Sequence, residues 1–253
     1  MKIFVISLAS AHDRRLQCRN AIAEHGLAFD FLDAVDGHGL TDREIETVYD
    51  EERNRRIFKR PLSRPEIGCY LSHYRAWEII AGLSQPAVVL EDDFELSADF
   101  SHGLMDLLGR KLPNALIKLE GGKPWSKGGD ASGRHDLVEP LFVPPMTTGY
   151  LLPPKVARTL VQRALPISRP VDLDLKHWWE LGIRVLAVRP DMVRPRKAAV
   201  AESSIASARA LMKPQSSIHR FHKNIQYQSR FLIGLCRARL QQTRLSLQVD
   251  DAG

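Results

Sequence analysis

The sequence predicts an α/β protein in which a mixed, nucleotide-binding sheet is flanked by helices. Three observations predict this class. Short apolar runs alternate with segments of helical periodicity, the first three elements read strand, helix, strand, and the apolar run AVVLEDD at 87–93 ends in three acids. With 253 residues, 44% of them hydrophobic, the chain is long enough for one such domain with a full core.

The first half of the chain supplies three strands and the helices between them. Apolar runs at 2–8 and 28–35 predict strands on either side of a helix at 14–25. The charged segment 41–60 begins with a capping-box pattern at Thr41 and Glu44, so we expect an exposed helix there. Apolar residues at helical spacing predict a further helix at 69–83, which leads into the strand at 87–93.

The second half continues the alternation of strands and helices. We predict a helix at 100–108, strands at 115–119 and 137–143, a segment at 147–152 that enters a helix at 154–163, a helix after Pro170, and a strand at 183–188. The segment 121–133 contains five glycines and is predicted to be a loop. It would act either as a lid over a site or as a plain surface loop.

The acids that end the run at 87–93 mark the predicted site. Parallel α/β sheets bind ligands at the carboxyl ends of their strands, which is where Glu91, Asp92 and Asp93 fall. Because side chains alternate along a strand, Glu91 and Asp93 are predicted to share one face. Paired carboxylates suit Mg²⁺ or Mn²⁺ with remaining ligands from water and substrate phosphates. A solvated acidic loop or a helix N-cap is the alternative. His73 and His177 are possible further ligands, or packed helix residues.

A second acidic element, Asp172 and Asp174, follows a proline at the predicted start of a helix. Acids are common at that position because they cap helices and interact favourably with the helix dipole. Beside a metal and phosphate site, such a carboxylate would instead take a proton from an acceptor hydroxyl. In the same segment, Trp178 and Trp179 offer either a stacking surface for a sugar ring or core packing.

Composition argues against several classes of protein. No apolar run approaches the roughly 18 residues that span a bilayer, and no secretory signal is visible, so we expect a cytoplasmic protein. Cys18, Cys69 and Cys236 are far apart and odd in number, which supports neither a disulfide framework nor a CxxC metal site. A metal-dependent nucleotidyl- or phosphotransferase is the second enzyme class compatible with the acids, but the phosphate-cradling loop G-x-x-x-x-G-K-[ST] is absent.

Seven blocks of residues occur in an order that is more specific than any one of them. They are VISL at 5–8, DRR at 13–15, AVDG at 34–37, EIGC with LSH at 66–73, VLEDD at 89–93, GY at 149–150 and PVD at 170–172. Together the blocks resemble glycosyltransferase family 25, the lipopolysaccharide and lipooligosaccharide glycosyltransferases that include bacterial β-1,4-galactosyltransferases. The resemblance covers about residues 1 to 205.

The resemblance implies a GT-A type fold, a nucleotide-sugar donor such as UDP-galactose, Mn²⁺ or Mg²⁺, a saccharide acceptor and inversion at the anomeric carbon. By block, Glu91 and Asp93 match the acidic motif that holds metal and diphosphate, and Asp92 between them is expected to contact the donor. Asp172 matches the aspartate of the PVD block and is expected to be the general base, with Asp174 as the second choice. Three further residues fall in blocks expected to line the nucleotide pocket: Ser7, Arg14 and Asp36.

The positive charge of the chain is concentrated at its end. Residues 205–249 contain eight basic and no acidic residues, so removing them from the net charge of +6 leaves −2 for the rest. We expect a catalytic domain at 1–204 and a helical tail at 205–253 that lies on an anionic membrane, where a lipid-linked acceptor would be found. Packing of the apolar side of the tail on the domain is the alternative. A nucleic-acid-binding arm would not explain the acids, so no nucleic acid partner is expected.

Overall fold

The computed structural model describes residues 1–121, 135–196 and 217–250. The strands are β1 (Lys2–Ser7), β2 (Asp30–Asp33), β3 (Ala87–Glu91), β4 (Phe94–Leu96), β5 (Leu116–Lys118), β6 (Asp136–Val138), β7 (Gly149–Leu152), β8 (Val185–Arg189) and β9 (Val193–Pro195). The helices are α1 (His12–Ala23), α2 (Asp42–Val48), α3 (Glu51–Ile57), α4 (Arg64–Ala81), α5 (Phe100–Gly109), α6 (Pro154–Arg163), α7 (Val171–Lys176), α8 (Trp178–Leu181) and α9 (Ser217–Asp250). The predicted glycine-rich loop lies, apart from Gly121, outside the described residues.

Seven strands form one mixed sheet in the order β2-β1-β3-β7-β5-β8-β6, and β4 pairs with β9 in a small second sheet. Strand β1 is parallel to β2 and β3, and β5 is parallel to β8. Because β7 is antiparallel to both β3 and β5, strand β5 runs in the same direction as β3. The carboxyl ends of β1, β2, β3, β5 and β8 therefore lie along one edge of the sheet, and the predicted α/β class with a mixed sheet is confirmed.

Two hydrophobic clusters cover the two faces of this sheet. Alternation along β3 illustrates the division, because Ala87 and Val89 belong to one cluster while Val88 and Leu90 belong to the other. The first cluster also takes buried residues of α4, α6, α7, α8 and α9, and the second takes those of α1 and α5. The sheet is thus buried on both sides, which explains why its strands read as continuous apolar runs.

Helix α4 is the element that positions the predicted site. A capping box between Ser63 and Glu66 starts it, and Arg60 pairs with Glu66 at 2.6 Å. On the next turn, a Cβ atom added to Gly68 would lie 2.7 Å from the backbone nitrogen of Gly37. Only glycine allows this approach, which presses the loop after β2 against α4 and next to the end of β1.

The structure corrects three of the predicted elements. The predicted helix at 41–60 is two helices, α2 and α3, because Asp50 leaves helical geometry and caps the second by accepting a hydrogen bond from Arg53 N at 2.7 Å. Strand β7 is central in the sheet, although the sequence predicted only a segment that enters α6. The strand at 87–93 ends at Glu91, so Asp92 and Asp93 lie in the following turn and the alternation rule does not place them.

The predicted helical tail is present as α9, and part of it packs on the rest of the chain. Its residues Tyr227, Phe231, Leu235 and Ala238 are buried in the first cluster, at a spacing of three and four residues that forms one helix face. The ring of Phe231 contacts that of Trp179 at 5.5 Å. Within the described residues, no helix combines the length and apolarity needed to cross a membrane. The segment 197–216 lies outside the described residues, so the domain boundary near 204 stays a prediction.

Candidate functional site

A cleft of about 160 Å³ opens at the carboxyl ends of β1, β2 and β3. Strand ends, the loop after β2 and α4 form its walls, as expected for a ligand site of a parallel α/β sheet. Five residues predicted from the sequence to bind the donor or metal line it: Ser7, Arg14, Asp36, Glu91 and Asp92. The structure therefore brings these five together, whereas Asp93, Asp172 and Asp174 do not line the cleft itself.

The Asp92 carboxylate holds one wall of the cleft in place. The Ser7 hydroxyl donates to Asp92 Oδ2 at 2.6 Å, and the Arg14 guanidinium donates to Oδ1 at 2.9 Å. Burial raises the pKa of Asp92, although both contacts act in the opposite direction. Both carboxylate oxygens are thus already engaged, which suits Asp92 to positioning Arg14 beside the cleft.

Glu91 is the last residue of a buried chain of hydrogen bonds. The Trp77 indole donates to the Tyr150 hydroxyl at 2.8 Å, and that hydroxyl lies 3.0 Å from His73 Nδ1. The Glu91 carboxylate can only accept, so Nε2 of His73 donates to its Oε1 at 3.2 Å, and in the neutral ring Nδ1 then accepts from the Tyr150 hydroxyl. Thr147 donates to the same oxygen. Burial alone would raise the pKa of Glu91, but the bonds from His73 and Thr147 lower it, so this carboxylate is held ionised.

The pKa of Asp93 is shifted in the opposite direction from that of Glu91. Its Oδ1 atom is buried and has no hydrogen-bond partner among residues 1–121, 135–196 and 217–250. Burial, with the charges of Glu91, Asp92 and Glu120, raises the pKa of Asp93 to about 7. Glu120 follows β5 and is itself buried beside Lys118, whose Nζ lies 2.7 Å from Glu120 Oε1. Acids from the ends of two strands therefore share this edge of the sheet.

The site has the donor groups that a hard divalent cation needs. A buried carboxylate oxygen without a partner, surrounded by further carboxylates, is stabilised by a positive charge, and oxygen donors are those that Mg²⁺ and Mn²⁺ prefer. The residues present thus fit such an ion. Cys69, His73 and Glu91 also offer ligand atoms within 4.8 Å of one another, a softer donor set in the same region.

The second acidic element separates into two environments. Asp174 is buried, accepts a hydrogen bond from the Tyr70 hydroxyl at 2.7 Å and lies 3.5 Å from the Arg169 guanidinium. Asp172 is half-buried in the first turn of α7, and its charge raises the pKa of the Cys69 thiol, to which burial makes the larger contribution. Asp172 is thus the less buried acid of this pair, and neither of the two lines the cleft.

Several residues of the site were not predicted from the sequence. Thr147, Tyr150, Lys118 and Glu120 reach it from β5, β7 and the segment before β7. Glu120 carried a usable signal, since it follows the apolar run at 115–119 as the acids follow the run at 87–93. His73 and Cys69 are four residues apart on α4, a spacing that places both side chains on one helix face. Thr147 and Tyr150 carried no such pattern.

Comparison with proteins of known family gives a match in the same part of the chain. The family model described as glycosyltransferase family 25 (LPS biosynthesis protein) matches residues 1–128, slightly more than half of the chain. That range contains β1 to β5 with the cleft and its acids.

Curated relatives share the same family name. A probable inactive glycosyltransferase 25 family member 3 from Bos taurus is 30% identical over 223 residues, which are 77% of this chain and 36% of that protein. Procollagen galactosyltransferase 1 from Danio rerio is 25% identical over 222 residues, with the same shares of 77% and 36%. Procollagen galactosyltransferase 2 from Homo sapiens is 33% identical over 111 residues, 42% of this chain and 18% of that one. The chain thus spans about a third of the length of the first of these relatives.

Solved structures give weaker matches. A glycosyltransferase involved in the glycosylation of the major capsid of PBCV-1 has a TM-score of 0.38 and 10% identity, covering 87% of this chain and 98% of that one. A putative glucose-1-phosphate thymidylyltransferase from Bacillus anthracis in complex with a sucrose has a TM-score of 0.37 and 11% identity, covering 84% and 78%. The assignment therefore rests on the family match over residues 1–128. The chain belongs to glycosyltransferase family 25.

Proposed function

We propose that the protein is a metal-dependent glycosyltransferase that moves a hexose, galactose from UDP-galactose, to a saccharide acceptor. The observation that carries the proposal is the buried Oδ1 atom of Asp93, which has no partner within the described part of the chain. It is set among other acids at the carboxyl edge of the sheet and next to the cleft. Relatives named as galactosyltransferases support the choice of sugar. Because one relative is named as probably inactive, the activity is argued from the site and not from the family alone.

The cleft would hold the nucleotide and its diphosphate. Arg14 is half-exposed at the cleft and offers positive charge to a phosphate, while Asp92 and Ser7 fix its position. Asp36 caps the turn at Gly37–Gly39 by accepting from His38 N at 3.0 Å, which presents its remaining oxygen to the ribose side of the cleft.

Asp93, with Glu91, would hold Mn²⁺ or Mg²⁺. The ion would supply the positive charge that stabilises the diphosphate as the bond to the sugar breaks. On the protein side, the bonds from His73 and Thr147 keep Glu91 ionised, and they fix one of its oxygens so that the other is oriented to the cleft.

We further propose inversion at the anomeric carbon with Asp172 as the general base. An inverting transfer needs one carboxylate on the acceptor side, within hydrogen-bond reach of the attacking hydroxyl. The half-buried position of Asp172 at the start of α7, close to Cys69, supports this role. Asp174 is better suited to support, since Tyr70 and Arg169 already occupy its two oxygens.

For the acceptor, we propose a lipopolysaccharide or lipooligosaccharide that is presented at the cytoplasmic face of an anionic membrane. One face of α9 packs on the domain, but five large apolar residues elsewhere on the helix stay exposed: Phe221, Ile225, Leu232, Ile233 and Leu240. Exposed apolar residues on a helix rich in Lys and Arg are typical of peripheral membrane contact. In this arrangement α9 would keep the domain at the surface where a lipid-linked acceptor lies.

Product analysis tests the proposal directly. Purified protein is incubated with UDP-galactose, Mn²⁺ and lipooligosaccharide, and the nucleotide product is separated. Release of UDP together with galactose transfer is expected, and EDTA should abolish both. Release of UMP would indicate transfer of galactose 1-phosphate by a phosphotransferase, and release of galactose 1-phosphate would indicate transfer of the UMP group by a nucleotidyltransferase. Full turnover in EDTA would remove the metal from the mechanism.

A further inference from the structure

A second and larger cavity, of about 450 Å³, lies at the opposite edge of the sheet from the acids. Asn114 lines it just before β5, and Arg184 lines it directly before β8. Both strands run in the direction of β3, so their amino ends are at the edge away from Glu91. From Asn114 to Glu120 the chain advances at about 3.3 Å per residue, which separates the two edges by roughly 20 Å.

Two tryptophans form the apolar wall of this cavity. Trp178 and Trp179 both line it, with their rings at 87° and centroids 5.6 Å apart. Helix α9 closes the same wall, where Ala238 lines the cavity and a Cβ added to Gly234 would come within 2.9 Å of the Trp179 ring. Helix α9 therefore forms part of the wall of this cavity. Its volume falls within the usual range of small-molecule sites, and its aromatic walls are suited to the apolar face of a sugar ring.

The polar groups around the cavity carry an excess of positive charge. Arg184 lies 3.0 Å from Glu139 and Arg239 lies 3.3 Å from the other oxygen of the same carboxylate. The Arg239 guanidinium also stacks on Trp178, 5.3 Å from the ring centroid. Lys155 is exposed at the rim. Of these charged groups, Lys155 and Arg184 line the cavity itself, and no acid is among its lining residues, so the cavity favours an anionic ligand.

We infer that this cavity binds an acidic saccharide, a sugar that carries a carboxylate or a phosphate. Trp179, the less buried of the two tryptophans, would pack on the ring. Asn114 and Thr159 would add an amide and a hydroxyl for its hydroxyl groups, and the two lining cations would select the acidic substituent. The distance from the acid edge excludes the transferred sugar, so the ligand is a remote part of the acceptor. In that respect the inference rests on the proposed function, which it extends by naming the acceptor as an anionic glycan.

Calorimetric titration of the whole protein, without donor and without metal, tests the inference. The probes are trigalacturonate for a carboxylated sugar, glucose 6-phosphate for a phosphorylated one, neutral maltotriose, and inorganic phosphate alone. At least one acidic sugar should bind about tenfold more tightly than both maltotriose and phosphate. Because transfer is not measured, this result is independent of whether the protein uses UDP-galactose.

Variants then locate the binding. Lys155→Gln/Arg184→Gln removes two cations of the cavity and should weaken binding of the acidic sugar about tenfold or more. The control Arg43→Gln/Arg75→Gln removes the same charge from exposed positions that do not line the cavity and should leave the Kd within about twofold. Melting temperatures verify that each variant is folded.

Thr159→Trp provides a second variant that keeps the charge. Its larger side chain would fill part of the cavity, so binding of the acidic sugar should be lost although both cations remain. The inference is overturned if neither acidic sugar binds, if maltotriose or phosphate binds as tightly, or if Thr159→Trp and the double variant bind like the control.

Discussion

The Nε2 atom of His73 lies 3.2 Å from Oε1 of Glu91, and this contact joins helix α4 to the carboxyl end of β3. His73 is fully buried, and its other ring nitrogen lies 3.0 Å from the Tyr150 hydroxyl. Because the Glu91 carboxylate can only accept, the bond runs from His73 to Glu91. A helix that packs on the sheet thereby sets the protonation state of an acid in the cleft.

Replacing His73 by leucine should change the pH dependence of transfer. Loss of the bond removes a contact that lowers the pKa of Glu91, so that pKa rises and the acid limb of the kcat/KM profile moves to higher pH. Cys69→Ala is a matched control, since Cys69 lies one turn earlier on α4 and lines the same cleft. An acid limb that is unchanged in His73→Leu, or displaced equally in Cys69→Ala, would show that Glu91 does not limit the reaction at low pH.

Asp93→Asn should abolish the effect of the divalent ion on transfer and on thermal stability. We expect transfer to fall by about 10² or more, because one oxygen donor of the site is neutralised. The thermal stabilisation that Mn²⁺ gives the wild-type protein should also be lost, which is measured without substrate. Glu95→Gln removes an exposed acid from the neighbouring strand β4 and serves as the control. If Mn²⁺ stabilises Asp93→Asn as much as the wild type, the ion is held elsewhere.

Asp93 also makes a prediction for stability in the absence of metal. Its folded pKa of about 7 lies above the ordinary value of 3.8, so the folded state binds more protons than the unfolded state between these limits. Stability should therefore fall as the pH rises from about 4 to about 7, with the penalty fully present above pH 7. A rise from 3.8 to about 7 corresponds to at most about 4 kcal/mol.

Urea unfolding of wild type and Asp93→Asn as a function of pH measures this penalty. The variant should be the more stable protein at pH 8, and the difference should vanish near pH 4. Comparing the two proteins cancels the titration of Asp174, whose pKa burial also raises and which is not among the groups that shift Asp93. A difference that is independent of pH would contradict the assignment of the raised pKa to Asp93.

The sequence predicted the parts of this site that lie on the strongest patterns. The acids lie at the end of β3, and Ser7 and Arg14 lie at or shortly after the end of β1. Both strands are clear apolar runs in the sequence, so the meeting of these residues at one sheet edge could be predicted. Strand β7 could not, because Gly149–Leu152 is short and followed by two prolines, which resemble the entry to a helix.

Because β7 was not predicted from the sequence, the side chains that it brings to the site were not predicted either. Strand β7 inserts between β3 and β5, and that insertion places Tyr150 next to His73 and Thr147 next to Glu91. Side chains that meet through such long-range pairing leave no local periodicity. The different environments of Asp172 and Asp174 could not be predicted for a similar reason. The two acids lie on one helical turn, and the difference comes from the packing of Tyr70 and Arg169 around Asp174.

Asp172→Asn should therefore mainly lower activity, and Asp174→Asn should mainly lower the stability of the fold. We expect Asp172→Asn to lower kcat by about 10² or more with donor binding and melting temperature nearly unchanged, as for a positioned base. Asp174→Asn should instead destabilise the fold by about 2 kcal/mol, because the buried Arg169 then keeps only its contact with Glu180 and the charged acceptor of the Tyr70 hydroxyl is lost. Weakened donor binding in Asp172→Asn would move that residue to the donor site.

Helix α9 makes two separable predictions, one for each of its faces. Phe231 is 5% exposed and packs against Trp179, so Phe231→Ala should cost about 3 kcal/mol of stability. Leu232, the next residue, is 47% exposed, and Leu232→Ser should change stability by less than about 0.5 kcal/mol. Chemical denaturation of the two variants checks this contrast, and equal losses would mean that the packed face is not the one described.

The exposed face is tested by sedimentation with vesicles that contain phosphatidylglycerol. The wild-type protein should bind them and be released by salt, since each Lys or Arg near the surface contributes about 1 kcal/mol of screened attraction. Phe221→Ser/Leu232→Ser/Leu240→Ser should lose most of this binding while it remains folded, because it removes the apolar residues that would enter the lipid interface. The control Leu16→Ser/Ile79→Ser/Met105→Ser changes exposed apolar residues on other helices and should bind normally. Binding that survives in the first variant, or is lost equally in the control, would leave α9 with packing as its role.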